Sequence, residues 1–216
     1  MTATLHYIFD PLCGWCYAAE PLVQAAAGNP ELAVTLHGGG LWPEPTTLPD
    51  DMRNYISQAD SRLAQISGQP LGDAYRNKLL SDPDLILDSR PTIRAVLAAD
   101  SLTDEGLAML QAIQRAHYVE GRHVVREAVL SALAADLGLD RAGFSKAFET
   151  TDVDTHIGQT RNLMQRIGAR GFPTFVLEVD GQWLGVDHNR FQRNAAGFAS
   201  WLESVVEKTA KAASAG

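Results

Sequence analysis

The chain has 216 residues, of which 45% are hydrophobic and 20% charged, and its formal net charge at pH 7 is −8. This balance is typical of a globular protein with one large domain, or of a domain with a sizeable insertion. The negative charge argues against nucleic acid or an anionic membrane as the main partner. No apolar stretch approaches the roughly 20 residues that a membrane-spanning helix needs.

The N-terminal sequence, MTATLHYIFD, lacks the basic region, the apolar segment and the small-residue cleavage site of a secretory signal peptide. We therefore expect a cytoplasmic protein. In that compartment a lone pair of neighbouring cysteines rarely forms a structural disulfide.

The first forty residues predict a strand, a helix and a second strand. Leu5–Phe9 is almost wholly apolar, as in a buried strand. Helical sequence follows and ends near Gly28, and Pro21 within it should kink the helix near Tyr17 because proline has no N–H to donate. Leu32–His37 then predicts the second strand.

The middle of the chain, from about Asp50 to Gly168, has helical periodicity and almost no strand signal. Thr103, Asp140 and Asp152 precede three of the helical runs and are predicted as their N-caps. The predicted helices are Asp104–Tyr118, Arg126–Leu137, Arg141–Glu149 and Val153–Ile167.

Strand character returns near the C-terminus. Thr174–Val179 and Gln182–Val186 are joined by Asp180 and Gly181, and this dipeptide between two strand-like runs predicts a hairpin. An apolar stripe from Phe191 onwards predicts a long last helix. The predicted order is βαβ, a helical insertion, and ββα.

The two cysteines of the chain, Cys13 and Cys16, form a CxxC motif that fits a redox couple, half of a metal site, or two buried thiols without chemistry. Zinc would need two further ligands, and the six histidines show no suitable spacing. The redox interpretation is favoured because the pair follows a buried strand and opens a helix. Free N–H groups at a helix start favour a thiolate at Cys13, which should attack, while Cys16 should resolve the mixed disulfide.

Two other residues near the motifs have open interpretations. Glu20 lies four residues after Cys16 on the same helical face, as a candidate proton relay or an ordinary surface carboxylate. Pro173 precedes the predicted hairpin strand, where a proline is often mere punctuation, and the sequence alone does not fix its isomer.

Together these residues resemble the thioredoxin superfamily, and within it the DsbA-like branch near FrnE-type oxidoreductases. The resemblance rests on DPLCGWCY after the first strand, the long helical insertion, and GFPTF before the hairpin. It implies that Cys13 is the nucleophile, that Cys16 resolves, and that Pro173 is a cis-proline facing the active-site sulfur. Phe172 would offer its backbone to an extended substrate, and Glu20 would match a family acid.

The implied fold is α/β and thioredoxin-like, with a DsbA-like helical insertion. We expect a discontinuous thioredoxin-like domain of residues 1–45 and 170–210, with an insertion domain of residues 46–169. One departure concerns Gly14 and Trp15, which stand where strongly oxidising relatives carry Pro-His. Because no histidine supports the thiolate, we expect a weaker oxidant.

The predicted function is that of a thiol-disulfide oxidoreductase or disulfide isomerase acting on protein or small-thiol disulfides. Trp15 would form an apolar rim beside a groove shaped by Phe172 and Pro173. No metal or organic cofactor is expected, glutathione is a candidate co-substrate, and the protein would be a monomer or homodimer. The alternatives are a kappa-type glutathione transferase or hydroxychromene-carboxylate isomerase, which the second cysteine disfavours, and a non-catalytic binding module.

Overall fold

The computed structural model describes residues 3–213 and shows a four-stranded sheet surrounded by helices. Its strands are β1 (Ala3–Phe9), β2 (Ala33–Gly38), β5 (Thr174–Val179) and β6 (Gln182–Val186). The strand order is β2-β1-β5-β6, with β1 parallel to β2 and the other neighbours antiparallel. The N-terminal unit and the C-terminal hairpin therefore build one sheet, as the resemblance implies.

The hairpin between β5 and β6 turns at Asp180 and Gly181, as predicted. Both residues have positive φ, of 46° and 81°. Positive φ at both central positions characterises the tight turn whose twist matches the flanking strands.

The helical elements occupy most of the remaining chain. The helices are α1 (Gly14–Ala18), α2 (Glu20–Ala27), α3 (Asp50–Ser67), α4 (Ser89–Thr103), α5 (Gly106–Tyr118), α6 (Glu127–Asp136), α7 (Arg141–Thr150), α8 (Val153–Ile167) and α9 (Ala195–Ala213). Single turns of π-helix and of 3₁₀-helix lie at Tyr75–Leu79 and His188–Phe191. A small two-stranded sheet joins β3 (Thr46–Thr47) to β4 (Ile86–Leu87).

The helix after the cysteines is divided in two. The sequence predicts one helix kinked near Tyr17, and the structure instead interrupts it at Ala19, between α1 and α2. Pro21 stands in the first turn of α2, where its missing N–H is tolerated. The proline thus starts a new helix rather than bending a continuous one.

Two of the predicted N-caps are confirmed. The carboxylates of Asp140 and Asp152 accept backbone N–H groups at the starts of α7 and α8, at 2.7 and 3.0 Å. The prediction for Thr103 is wrong, because this residue ends α4 and the next helix begins after Glu105.

Helix α8 covers part of the sheet, although it lies inside the proposed insertion. Its Leu163 and Met164 pack on the buried Ile8 of β1. The other face of the sheet, including Leu5 and Phe175, belongs to an apolar core that extends into the helical region. The division at residues 46 and 169 remains a proposal.

Candidate active site

The CxxC motif lies at the start of α1, directly after β1. Cys13 is the N-cap, with extended backbone, and its carbonyl accepts the N–H groups of Cys16 and Tyr17 at 3.0 and 3.1 Å. Both cysteines are free thiols, 7% and 0% exposed respectively. Of the two cysteines, only Cys13 has any exposure to solvent.

Cys16 is enclosed behind Cys13. The backbone N–H of Asp10 donates to Cys16 Sγ at 3.4 Å, and the Tyr7 hydroxyl donates to the Cys16 carbonyl at 3.2 Å. Burial raises the pKa of the Cys16 thiol well above its usual range, and its hydrogen bond with Cys13 raises it further. Cys16 is therefore held as a neutral thiol.

The segment before β5 meets the motif from the other end of the chain. The Phe172–Pro173 peptide bond is cis, as the resemblance implies. The carbonyl oxygen of Phe172 lies 3.7 Å from Cys13 Sγ, within range of a thiol hydrogen bond. Cys13 and Phe172 are thus neighbours although 159 positions separate them in the sequence.

A large cavity opens at Cys13. Its volume is about 590 Å³. Trp15, 39% exposed, stands at its rim, and a shallower depression beside it is lined by Trp15, Phe172 and Pro173. The far wall of the cavity is largely apolar and comes from α3, β4 and the segments that connect them to their neighbours: Leu48, Met52, Ile56, Leu80, Leu85 and Leu87.

The sequence HGGGLWP supplies the loop under Phe172. A Cβ on Gly39 would stand 2.2 Å from a carbon of the Phe172 ring, and Gly40 has a φ of +67°. Arg161 of α8 donates to the Gly40 carbonyl and lies 5.1 Å from the centroid of the Phe172 ring. The glycines therefore bring the loop, the ring and the guanidinium into contact beside Cys13.

Asp10 joins this loop to the CxxC turn, a role that sequence reasoning missed. Its fully buried carboxylate accepts the N–H of Leu12 at 2.9 Å and that of Leu41 at 2.7 Å. Burial raises the pKa of Asp10, while those hydrogen bonds oppose the shift. The signal in the sequence that could have indicated this role is the position of Asp10 directly after the apolar strand β1.

Glu20 is half-buried, but its hydrogen bond is to Gln69 Nε2 at 3.1 Å rather than to a cysteine. Burial raises the pKa of its carboxyl. It lines a separate cavity of about 430 Å³ together with Tyr17 and Gln69. Its role as a proton relay stays a prediction.

Within residues 3–213, no group of three or more His, Cys, Asp or Glu side chains could hold a metal ion. Over the same residues, no helix combines the length and the apolar character needed to cross a membrane.

The comparisons with known proteins agree with this geometry. The DSBA-like thioredoxin domain family matches residues 4–195. The cytosolic disulfide reductase DsbM from Pseudomonas aeruginosa superposes with a TM-score of 0.89 at 45% identity, over 94% of this chain and 98% of that one. Its structure with GSH gives 0.87 at 42%, over 94% and 99%.

A more distant relative shows the fold alone. It is a putative protein disulfide isomerase from Nitrosomonas europaea, with a TM-score of 0.82 at 24% identity, over 97% of this chain and 99% of that one. No curated protein sequence matches the chain significantly. The family match and the DsbM similarity agree with the paired thiols at the start of α1: the chain belongs to the DsbA-like thioredoxin family of thiol-disulfide oxidoreductases.

Proposed function

We propose that this protein is a cytoplasmic disulfide reductase that uses glutathione as its reducing co-substrate. The observation that carries the proposal is the pairing of a partly accessible Cys13 at a helix start with an enclosed, neutral Cys16. The similarity to a cytosolic disulfide reductase, also solved with GSH, supports the direction of electron flow and the compartment.

The two cysteines would act in sequence. The Cys13 thiolate attacks a substrate disulfide, forms a mixed disulfide and releases the first substrate thiol. Cys16 then loses its proton and attacks Cys13 Sγ, which releases the second thiol and leaves a Cys13–Cys16 disulfide. The substrate has then gained two electrons from the two cysteines. Two glutathione molecules reduce the Cys13–Cys16 disulfide back to thiols and are themselves oxidised to glutathione disulfide. The proposal includes no metal or organic cofactor.

The residues around Cys13 would hold the substrate. The Phe172 backbone would pair with an extended chain beside the disulfide, and Pro173 and Trp15 would form the apolar border of the groove. The Phe172 carbonyl already lies at hydrogen-bonding distance from Cys13 Sγ. This arrangement suits small-thiol disulfides and extended segments of protein substrates.

The dipeptide between the cysteines, Gly14-Trp15, is the reason for proposing a reductase rather than an isomerase. Gly14 and Trp15 provide no charge to stabilise the thiolate, so the reduced pair should give up electrons more readily than a Pro-His pair. The reduction potential should lie near that of cytosolic glutathione, roughly −220 to −320 mV, rather than near the ~−120 mV of a strong oxidant.

The test combines potential and turnover. Equilibration with glutathione redox buffers, followed by thiol trapping, gives the potential of the Cys13–Cys16 couple, while reduction of insulin by glutathione gives turnover. We expect Cys13→Ser to abolish turnover and Cys16→Ser to stop at a mixed disulfide. A potential near −120 mV, or full turnover by Cys13→Ser, would contradict the proposal.

A further inference from the structure

The carboxylate of Asp60 faces the turn between the two cysteines. Asp60 belongs to α3 and is 8% exposed. A Cβ added to Gly14 would stand 2.7 Å from Asp60 Oδ1, so the carboxylate reaches this position only because residue 14 is glycine. Asp60 also lines the 590 Å³ cavity into which Cys13 opens. The acid therefore lies beside the place where a substrate disulfide meets Cys13.

The other oxygen of Asp60 is held by Tyr75. The Tyr75 hydroxyl donates to Oδ2 at 2.5 Å, which fixes the carboxyl group and leaves Oδ1 directed towards Gly14. Burial raises the pKa of Asp60 to about 6, although the Tyr75 hydrogen bond lowers it. A carboxyl group with this pKa is half protonated near pH 6, and its protonated fraction can act as a general acid.

We propose that Asp60 is the general acid of the first exchange step and protonates the thiolate that leaves when Cys13 attacks a disulfide. This role rests on the proposed function, because it requires that Cys13 react with disulfides. The role of Asp60 is independent of Glu20, which binds Gln69 and lines a different cavity.

The step balances in atoms, electrons and protons. Cys13 S⁻ attacks R–S–S–R′, so the Cys13–S–R bond forms and the S–S bond of the substrate breaks. The R′–S⁻ product takes the proton of the Asp60 carboxyl group, which becomes a carboxylate. When Cys16 later attacks the mixed disulfide, its thiol proton returns to Asp60 or to solvent, and the second product leaves.

Other ionisable groups share the cavity with Asp60 and Cys13. They are Tyr55, Tyr75, His117, Tyr118, Arg161 and Arg170. Burial lowers the pKa of His117 to about 3 and raises those of Tyr75 and Tyr118. His117 is thus neutral and the two tyrosines protonated at neutral pH, which leaves Asp60 as the acid of this group that titrates near pH 6.

The experiment compares two disulfides that differ in their need for a proton. Glutathione disulfide releases an alkyl thiolate, which is a poor leaving group unless it is protonated, whereas an aryl disulfide with nitrobenzoate groups releases a stable thiolate. All variants carry Cys16→Ser, so that the reaction stops at the mixed disulfide, and the release of thiol is followed by stopped flow. At pH 5.5, Asp60→Asn should slow the reaction with glutathione disulfide on the order of 100-fold. The reaction with the aryl disulfide should change less than about two-fold.

The pH dependence separates an acid from a structural residue. The ratio of the parent rate to the Asp60→Asn rate with glutathione disulfide should fall about ten-fold per pH unit above pH 6, as Asp60 loses its proton. Tyr75→Phe removes the hydroxyl that donates to Asp60 and stabilises its carboxylate, so the pKa of Asp60 should rise. The fall in the rate ratio should therefore begin at a higher pH. Asp50→Asn, an exposed acid at the start of the same helix, is the matched control and should match the parent.

Four results would overturn the proposal. Equal slowing of both disulfides by Asp60→Asn would mean that Asp60 supports Cys13 or the fold, and no slowing would mean that it has no part in the step. A rate ratio independent of pH would exclude proton donation. A Cys16→Ser protein inert towards both disulfides contradicts the proposed function itself, and this role with it. Thermal unfolding of each variant identifies any loss of folded protein.

Discussion

The ring of Phe172 lies directly over Gly39, with no room for a side chain between them. A Cβ at position 39 would stand 2.2 Å from Cε1 and 2.4 Å from Cζ of the ring. Because the Phe172 carbonyl contacts Cys13 Sγ, the absence of a side chain at Gly39 sets the position of a group at the active site.

Gly39→Ala should therefore displace Phe172 and lower activity. Overpacking of this kind costs typically about 1–3 kcal/mol of folding free energy, so unfolding in denaturant should show a lower midpoint. Reduction of insulin by glutathione should slow because the Phe172 carbonyl moves away from Cys13. The measurements are the denaturant midpoint and the rate of turnover.

Gly158→Ala is the matched control. Gly158 lies in α8, the helix that supplies Arg161 to the same loop, and a Cβ there would have no neighbour within 4 Å. Alanine in a helix interior should leave activity unchanged and raise stability by roughly 0.5–1 kcal/mol. If Gly39→Ala behaves like this control, the packing of Phe172 on Gly39 does not set the site.

The two thiols should differ strongly in reactivity. In Cys16→Ser the remaining Cys13 is partly accessible, whereas in Cys13→Ser the remaining Cys16 is fully buried, with a pKa that burial raises. Alkylation by iodoacetamide at pH 7 requires an accessible thiolate, so Cys13 should react at least about ten-fold faster than Cys16. The loss of free thiol over time, measured by mass, gives both rates. Equal rates would show that Cys16 opens to solvent, and the roles of the two cysteines would need revision.

The sequence predicts the sheet well because its strands have strong local signals. The apolar run of β1 and the Asp-Gly turn of the hairpin are decided within a few residues, and β5 has the predicted bounds. The two ends of the chain that meet at the site carry the CxxC and GFPTF motifs. The proximity of Cys13 and Phe172 could therefore be predicted from the resemblance. These features depend little on distant packing.

What the sequence does not reveal depends on contacts between distant segments. The role of Gly39 requires knowing that Phe172 packs on it, and that of Asp60 requires knowing that α3 lies over Gly14. The start of helix α3 has no side-chain capping signal, since its N-cap is the proline Pro49. Spacing along one helix instead suggested Glu20, whose carboxylate binds Gln69.

Trp15 should report the redox state of the protein. It lies between the cysteines in sequence and is 39% exposed at the rim of the cavity, where a nearby disulfide should quench its fluorescence. Titration against the glutathione redox ratio should change the emission of the wild type, and Trp15→Phe should lose most of this change while thiol trapping shows the same redox cycle. Trp183→Phe is the control, because Trp183 stacks on His6 of the sheet. A full redox signal in Trp15→Phe would show that another tryptophan reports the site.

A cluster of polar side chains crosses the sheet away from the cysteines. His6 Nδ1 lies 2.9 Å from His37 Nε2, and His6 Nε2 lies 2.9 Å from Glu178 Oε2. Burial lowers the pKa of His37 to about 4, and the charges of His6 and His156 lower it further. His37 thus stays neutral in the folded protein at pH values where an unfolded histidine is already charged.

His37 should make the protein less stable as the pH falls from about 6.5 to about 4. In that window the unfolded chain binds a proton at residue 37 that the folded protein does not, so the free energy of unfolding decreases by up to about 1.4 kcal/mol per pH unit. Above the window both states are neutral at His37, so this residue no longer lowers the free energy of unfolding. His37→Gln keeps a polar group beside His6 but removes the titration, so urea unfolding between pH 7.5 and 4.5 should show a shallower pH dependence in the variant. His117, whose pKa burial lowers to about 3, contributes the same slope to both proteins and cancels in the comparison. Identical slopes in the two proteins would mean that His37 titrates in the folded state as it does in the unfolded chain.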